Sequence, residues 1–261
     1  METKKSDVAL RMLNKVPEVT IYFWIIKIMA TTVGETAADF LSVKLKLGLS
    51  GTSYVMGALL LIALLIQVRS RKYVPWIYWI TVVLISVVGT LITDNLVDNF
   101  AVPLTVTTAV FSVALLVTFA VWYASEKTLS VHTICTTRRE LFYWAAILFT
   151  FALGTAAGDL TAESLGVGYA NSAMIFGAAI ALVTLAHYFL RLDAILAFWV
   201  AYVLTRPLGA SLGDLFSQPT GNGGLGLGTV VTSAIFLVTI LALVVHMTVG
   251  QRNGTATRNS A

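Results

Sequence analysis

A chain of 261 residues that is 57% hydrophobic and only 11% charged, with a mean hydropathy of +0.85, lies far outside the range of water-soluble domains. Its formal net charge of +4 is spread over short loops and does not imply a nucleic-acid partner, and its single cysteine, Cys135, excludes an internal disulfide. The composition predicts an all-α membrane protein.

In chain order, residues 1–19 are polar and charged, without the apolar core and small-residue cleavage site of a signal peptide. They are expected to form a cytoplasmic segment ahead of an uncleaved anchor. Eight apolar stretches follow, at about residues 20–44, 53–69, 75–97, 102–124, 141–162, 170–190, 193–215 and 227–248. At roughly 20 residues each, they match a hydrocarbon core of about 30 Å. Lys4, Lys5, Arg11 and Lys15 precede the first stretch. Arg69, Arg71 and Lys72 follow the second, Lys127, Arg138 and Arg139 the fourth, Arg191 the sixth, and Arg252 and Arg258 the eighth. The opposite loops hold only Lys44 and Lys46. This positive-inside bias predicts a multi-pass protein of the inner (plasma) membrane with both termini cytoplasmic, ending in a flexible tail over 249–261.

Within the apolar stretches one pattern recurs. An aromatic doublet is followed ten residues after its Trp by Gly and five residues later by Asp: Phe23-Trp24, Gly34, Asp39; Tyr78-Trp79, Gly89, Asp94; Tyr143-Trp144, Gly154, Asp159; Phe198-Trp199, Gly209, Asp214. The chain is therefore a fourfold internal repeat with two spans per copy, over about 20–72, 75–127, 140–191 and 193–248, within one membrane domain covering 20–248. Two spans per copy make the repeats parallel, which predicts an eight-helix, pseudo-fourfold bundle. The doublets are expected at the inner headgroup level and the four Asp at one depth near the outer face, about 22 Å away at 1.5 Å per residue.

Helical phase assigns the faces. Stepping back by four residues from each Asp gives Glu35, Thr31 and Lys27; Thr90, Ser86 and Val82; Thr155, Phe151 and Ile147; and Ala210, Arg206 and Tyr202. Ionisable groups at membrane depth face protein or water, so these stripes are expected to line a shared interior. Gly34, Gly89, Gly154 and Gly209 are each followed four residues later by Ala38, Thr93, Gly158 or Gly213, a small-xxx-small spacing that reads as a helix-packing seam, with a helix break at the glycine as the alternative. Pro207 offers a hinge beside Arg206. On the second helices Gly57, Ser112, Gly177 and Thr232 recur at one position, compatible with packing against the first helices. The Gly-rich stretch 221–228 lacks the strand-to-helix context of a phosphate loop and reads as a flexible turn. His132, His187 and His246 lie near the cytoplasmic ends, away from the Asp level.

The [FY]-W-x9-G-x3-small-D pattern, over about residues 20–248, resembles the bacterial integral membrane proteins defined by a tandem, four-copy, two-span repeat of unknown function. The resemblance implies the fold and carries no established activity.

The function is therefore argued from the residues. Four Asp at one depth, with Glu35 as a fifth carboxylate, suit a hard cation, whereas the lack of His and Cys at that level disfavours Zn²⁺ and Cu⁺. Protons are the competing ligand, because clustered carboxylates do not all ionise cheaply. The expected activity is secondary transport of a small inorganic cation, Mn²⁺ or another divalent ion, exchanged for protons. Asp39, Asp94, Asp159, Asp214 and Glu35 form the site, and Lys27 and Arg206 serve as gate or counter-charge. Two alternatives stay open: transport of a small organic anion or metabolite anchored by Lys27 and Arg206, and a membrane scaffold or sensor in which the Asp set only holds helices together. No HExxH pair and no phosphate loop is present, so neither an enzyme nor a resident cofactor is expected. The expected partners are the lipid bilayer, the cation and protons. The oligomeric state stays open, a homo-oligomer included.

Overall fold

The computed structural model describes residues 14–259; Lys4, Lys5 and Arg11 lie outside the described residues. Eight long helices make up the described chain, with no strand among them: α1 (Ile21–Asp39), α2 (Gly48–Arg69), α3 (Pro75–Asp94), α4 (Leu104–Glu126), α5 (Thr137–Asp159), α6 (Tyr169–Phe189), α7 (Ala194–Ser217) and α8 (Gly228–Asn259). Local chemistry starts the odd-numbered helices. The Thr20 hydroxyl accepts from the Phe23 amide at 3.4 Å, Pro75 opens α3 at its first turn, the Thr136 hydroxyl accepts from the Arg139 amide at 3.3 Å, and the Asp193 carboxylate accepts from the amides of Ile195 and Leu196. Seven helices, α2 to α8, are long and apolar enough to cross a membrane. The remaining one, α1, carries Lys27, Glu35 and Asp39. This is a membrane protein built from internal repeats.

The packing separates two kinds of helix. α1 packs on α3, α3 on α5, α5 on α7, and α7 back on α1, so the odd-numbered helices close a cycle. The even-numbered helices lie outside it, each on the first helix of the following repeat: α2 on α3, α4 on α5, α6 on α7 and α8 on α1. The most apolar stretches of α3 and α5 are 61% buried, against 17% for α2, α4 and α8, whose exposed faces carry Leu, Ile and Val. Such apolar surface is stable only against lipid or another apolar partner. The last contact of the cycle joins chain segments far apart in sequence, and beside it a 2.6 Å hydrogen bond between Thr36 and Ser233 ties α1 to the outer helix α8.

The glycines lie where the inner helices meet. A Cβ on Gly34 would overlap Ser86, one on Gly89 would come within 2.6 Å of the Phe151 Cβ, one on Gly154 would overlap Arg206, and one on Gly209 would overlap Thr31. Each glycine thus receives, from the next inner helix, the residue eight positions before that helix's Asp. Hydroxyls bridge the same seams: Thr32 donates to Gly209 O at 3.1 Å and Thr93 to Ala152 O at 2.9 Å. All four helices run unbroken through their glycines, and α7 also runs unbroken through Pro207.

The irregularity comes later, at the aspartates. Asp39, Asp94 and Asp159 each end the α-helical part of their helix and lead into one π-helical turn, Phe40–Lys44, Asn95–Asn99 and Leu160–Ser164. A single π turn widens the backbone locally and is frequent at functional sites. In the fourth repeat α7 stays α-helical through Asp214 to Ser217. The Gly-rich stretch beyond it is tied back onto the helix end, with Leu225 N donating to Leu215 O at 2.6 Å and Leu227 N to Phe216 O at 3.0 Å. It is a hydrogen-bonded return instead of a loose turn.

The aromatic doublets lock the inner helices together. Phe23 packs on Trp79 at 5.8 Å between ring centroids, Tyr78 on Trp144 at 5.5 Å, Tyr143 on Trp199 at 6.2 Å, and Phe198 on Trp24 at 5.6 Å. The cycle is the same as that of the glycines. Such pairs contribute roughly 0.5–1.5 kcal/mol each beyond burial. At this end the chain before α1 is held by Lys15, which pairs with Glu140 of α5 at 2.7 Å, while Gln67 of α2 donates to the same carboxylate at 3.2 Å.

Candidate functional site

Between the aromatic cycle and the aspartates the interior is filled by the three residues that precede each Asp at four-residue steps. All twelve are buried, from Lys27, Val82, Ile147 and Tyr202 through Thr31, Ser86, Phe151 and Arg206 to Glu35, Thr90, Thr155 and Ala210. The copies differ in what they place on the axis, and those differences build the site.

Arg206 is 0% exposed and is held by all three other inner helices. Its Nη2 lies 3.2 Å from Glu35 Oε2 of α1, donates to Thr155 Oγ1 of α5 at 2.6 Å and donates to Thr90 Oγ1 of α3. Its Nη1 donates to Thr31 O at 3.4 Å. The fourth repeat carries only Ala210 at the level of Glu35, Thr90 and Thr155, which leaves the axis there to the guanidinium. Thr90 also donates to Glu35 Oε2 at 3.2 Å. A buried charge pair is tolerated when further hydrogen bonds support it; here Thr90 and Thr155 accept from the guanidinium and Thr90 also donates to Glu35, while the buried Arg206 Nε has no hydrogen-bond partner.

Beyond this pair a cavity of about 390 Å³ opens at the carboxylate end. Glu35, Asp39, Asp94, Asp159 and Asp214, one or more from each inner helix, line it together with Asp98, Glu163 and Gln218. One carboxylate oxygen from each of Glu35, Asp159 and Asp214 lies within 4.8 Å of the other two. Asp39 and Asp94 stand on the same wall without joining that triad. Lys44 and Lys46 pair with none of these carboxylates among the described residues, and Lys44 lines an adjoining cavity that it shares with Asp39.

Lys27 is also fully buried, on the other side of Arg206. Its Nζ sits 4.2 Å from the Phe151 ring centre and 4.4 Å from that of Tyr202, and donates to Thr31 Oγ1 at 3.4 Å. It has no carboxylate partner among the described residues. Cation–π contacts of this kind stabilise an ammonium by up to about 2 kcal/mol when desolvated.

Two cavity acids were not singled out from the sequence, though a signal exists. One helical turn after the four Asp come Val43, Asp98, Glu163 and Gln218, all on the cavity wall. The same stepping that leads inward also leads outward, and three of the four residues are polar. The Lys15–Glu140–Gln67 contact has no such signal, because it joins three distant segments and lies outside the repeat pattern.

No curated protein and no solved structure matches the chain significantly. One repeat family matches four times, over residues 22–73, 77–128, 142–193 and 197–253, in step with the structural cycle of inner and outer helices. On these four matches the chain belongs to the family defined by the Repeat of Unknown Function (DUF347).

Proposed function

We propose that the protein is an eight-span, pseudo-fourfold secondary transporter of a small inorganic cation, Mn²⁺ or another divalent ion, driven by exchange with protons. In this reading α1 is the eighth span. Lys27, Glu35 and Asp39 bring its hydropathy below that of the others, and the inner helices bury the first two while the third faces the cavity. The loop charges orient the aromatic end and both termini toward the cytoplasm and the carboxylates toward the outside of the inner membrane.

One observation carries the reading: carboxylates from all four repeats converge on a single cavity whose floor is the buried Glu35–Arg206 pair. The wall supplies oxygen ligands and the floor supplies a charge that stands in for a cation. A divalent ion entering between Glu35, Asp159 and Asp214 competes with Arg206 for Glu35 and displaces protons held by the other acids. An organic anion is disfavoured in this reading, since both inner cations are buried and the two Nη groups of Arg206 already bond Glu35, Thr90, Thr155 and Thr31.

Proton release on adding Mn²⁺, Mg²⁺ or Ca²⁺ to purified protein tests the site. Wild type is expected to release protons, Asp214→Asn and Asp159→Asn to lose most of that release, and Asp39→Asn to lose part of it, each with modest loss of thermal stability. Equal release from all four proteins, or none from any across the three ions, rules the site out. Variants that misassemble while wild type releases nothing favour the scaffold alternative.

A further inference from the structure

The carboxylate cavity lies on the axis. A second opening lies outside it, where α4 and α7 carry exposed apolar side chains. It is a groove of about 660 Å³, within the size range of ligand pockets. Leu116, Phe119 and Tyr123 of α4 form one wall, Leu196, Val200 and Val203 of α7 the other, and α5 contributes Leu153. The walls are fixed to each other, since Phe119 packs on Trp199 at 4.8 Å between ring centroids. The polar atoms along them are already used: Ser112 donates to Thr108 O at 2.8 Å, and Trp199 Nε1 donates to Leu129 O at 2.9 Å. A hydrophilic solute would lose its hydration there without compensation.

Charge is confined to one end of the groove, the aromatic end of the bundle. Lys127, just after the last turn of α4, and Asp193, which caps the first turn of α7, both line it. Both are exposed, and neither joins an ion pair among the described residues. Asp193 Oδ1 accepts from the amides of Ile195 and Leu196, and no partner meets its other oxygen among the described residues. From Ser112 to Tyr123 the α4 wall rises about 16 Å at 1.5 Å per residue. That is the depth of one leaflet of a hydrocarbon core about 30 Å thick. An apolar slot one leaflet deep therefore ends in one cation and one carboxylate at headgroup level.

We propose that this groove binds one phospholipid of the leaflet at the aromatic end and selects an ethanolamine headgroup. An acyl chain occupies the apolar walls, Lys127 pairs with the phosphate, and Asp193 accepts from the primary ammonium. A choline headgroup has no N–H to give Asp193. A glycerol headgroup has no cation, which leaves the lipid's net negative charge facing the carboxylate. The site is separate from the proposed transport site, because no residue lines both the groove and the carboxylate cavity.

The test uses the full chain purified in detergent. It is incubated with an equimolar mixture of phosphatidylethanolamine, phosphatidylcholine and phosphatidylglycerol of identical acyl chains, and bound lipid is read by native mass spectrometry. Wild type is expected to hold one lipid and to favour the ethanolamine headgroup by about fivefold, the effect of one charge at a membrane surface. Asp193→Asn keeps the helix cap and is expected to bind lipid with that preference gone. Lys127→Asn tolerates the positive φ of 57° at this position and is expected to weaken all three lipids about fivefold. Val200→Trp and Leu116→Trp, at exposed positions on the two walls, fill the groove and are expected to lose the lipid; either one that elutes like wild type serves. Wild type that binds the three lipids equally, or favours another headgroup, overturns the proposal. Lipid retained in a folded Val200→Trp or Leu116→Trp protein lies elsewhere and overturns it too. Wild type that holds no lipid, as a monomer or as a dimer, has the same consequence.

Discussion

Gly154 lies so close to Arg206 that a methyl group on its Cα would overlap the arginine's Cβ and Cγ. The glycine seam and the polar axis are therefore one construction: the backbone of α5 has to approach α7 for the guanidinium to stand on the axis. In the membrane, where apolar burial adds little to helix association, such close approach lets dispersion and interhelical hydrogen bonds act.

The first prediction follows from that contact. Gly154→Ala pushes Arg206 away from Thr155 and is expected to destabilise the bundle by about 1–3 kcal/mol, the usual range for overpacking. Gly158→Ala meets Ala210 Cβ at an ordinary 3.5 Å and is expected to be mild. Gly57→Ala and Gly177→Ala, which meet nothing within 4 Å, are expected to be neutral or slightly stabilising. Thermal unfolding in detergent orders the four variants. A Gly154→Ala protein as stable as Gly57→Ala would end the seam assignment.

The second concerns the ion pair. Removing one partner of a buried pair leaves the other uncompensated, so Glu35→Gln and Arg206→Gln are each expected to cost about 3–5 kcal/mol. The double variant removes both charges and is expected to lose clearly less than the sum of the singles, because contacting residues are coupled. Additive losses in a double-mutant cycle would show that the two side chains do not act as a pair.

The third concerns the packing of α8 on α1, which joins the last repeat to the first. In a Cys135→Ser background, Thr36→Cys and Ser233→Cys are expected to form an intramolecular disulfide on mild oxidation, because the native hydroxyls lie 2.6 Å apart. Thr36→Cys paired with Ser172→Cys is the control, since Ser172 bonds Ser211 of α7 instead. Equal cross-linking of both pairs, or none of the first, would contradict the packing of α8 on α1.

The repeat, the helices and the inward face are legible in the chain because each rests on a local rule. Apolar length marks the spans, a period of four residues marks the face behind each Asp, and a small-xxx-small spacing marks the seam. That same stepping places Lys27, Arg206 and Glu35 on the Asp face without reference to any other helix. What it leaves undecided is which residue of one helix meets which residue of the next. Arg206 reaches Glu35, Thr90 and Thr155 because Ala210 leaves the axis vacant, and Gly154 accepts the arginine because α5 and α7 are neighbours; both facts depend on the order of helices around the axis. The inward stacking of the aromatic doublets and the Lys15–Glu140 contact belong to the same class. They arise from contacts between segments tens to more than a hundred residues apart, where no local spacing in the chain selects the partner.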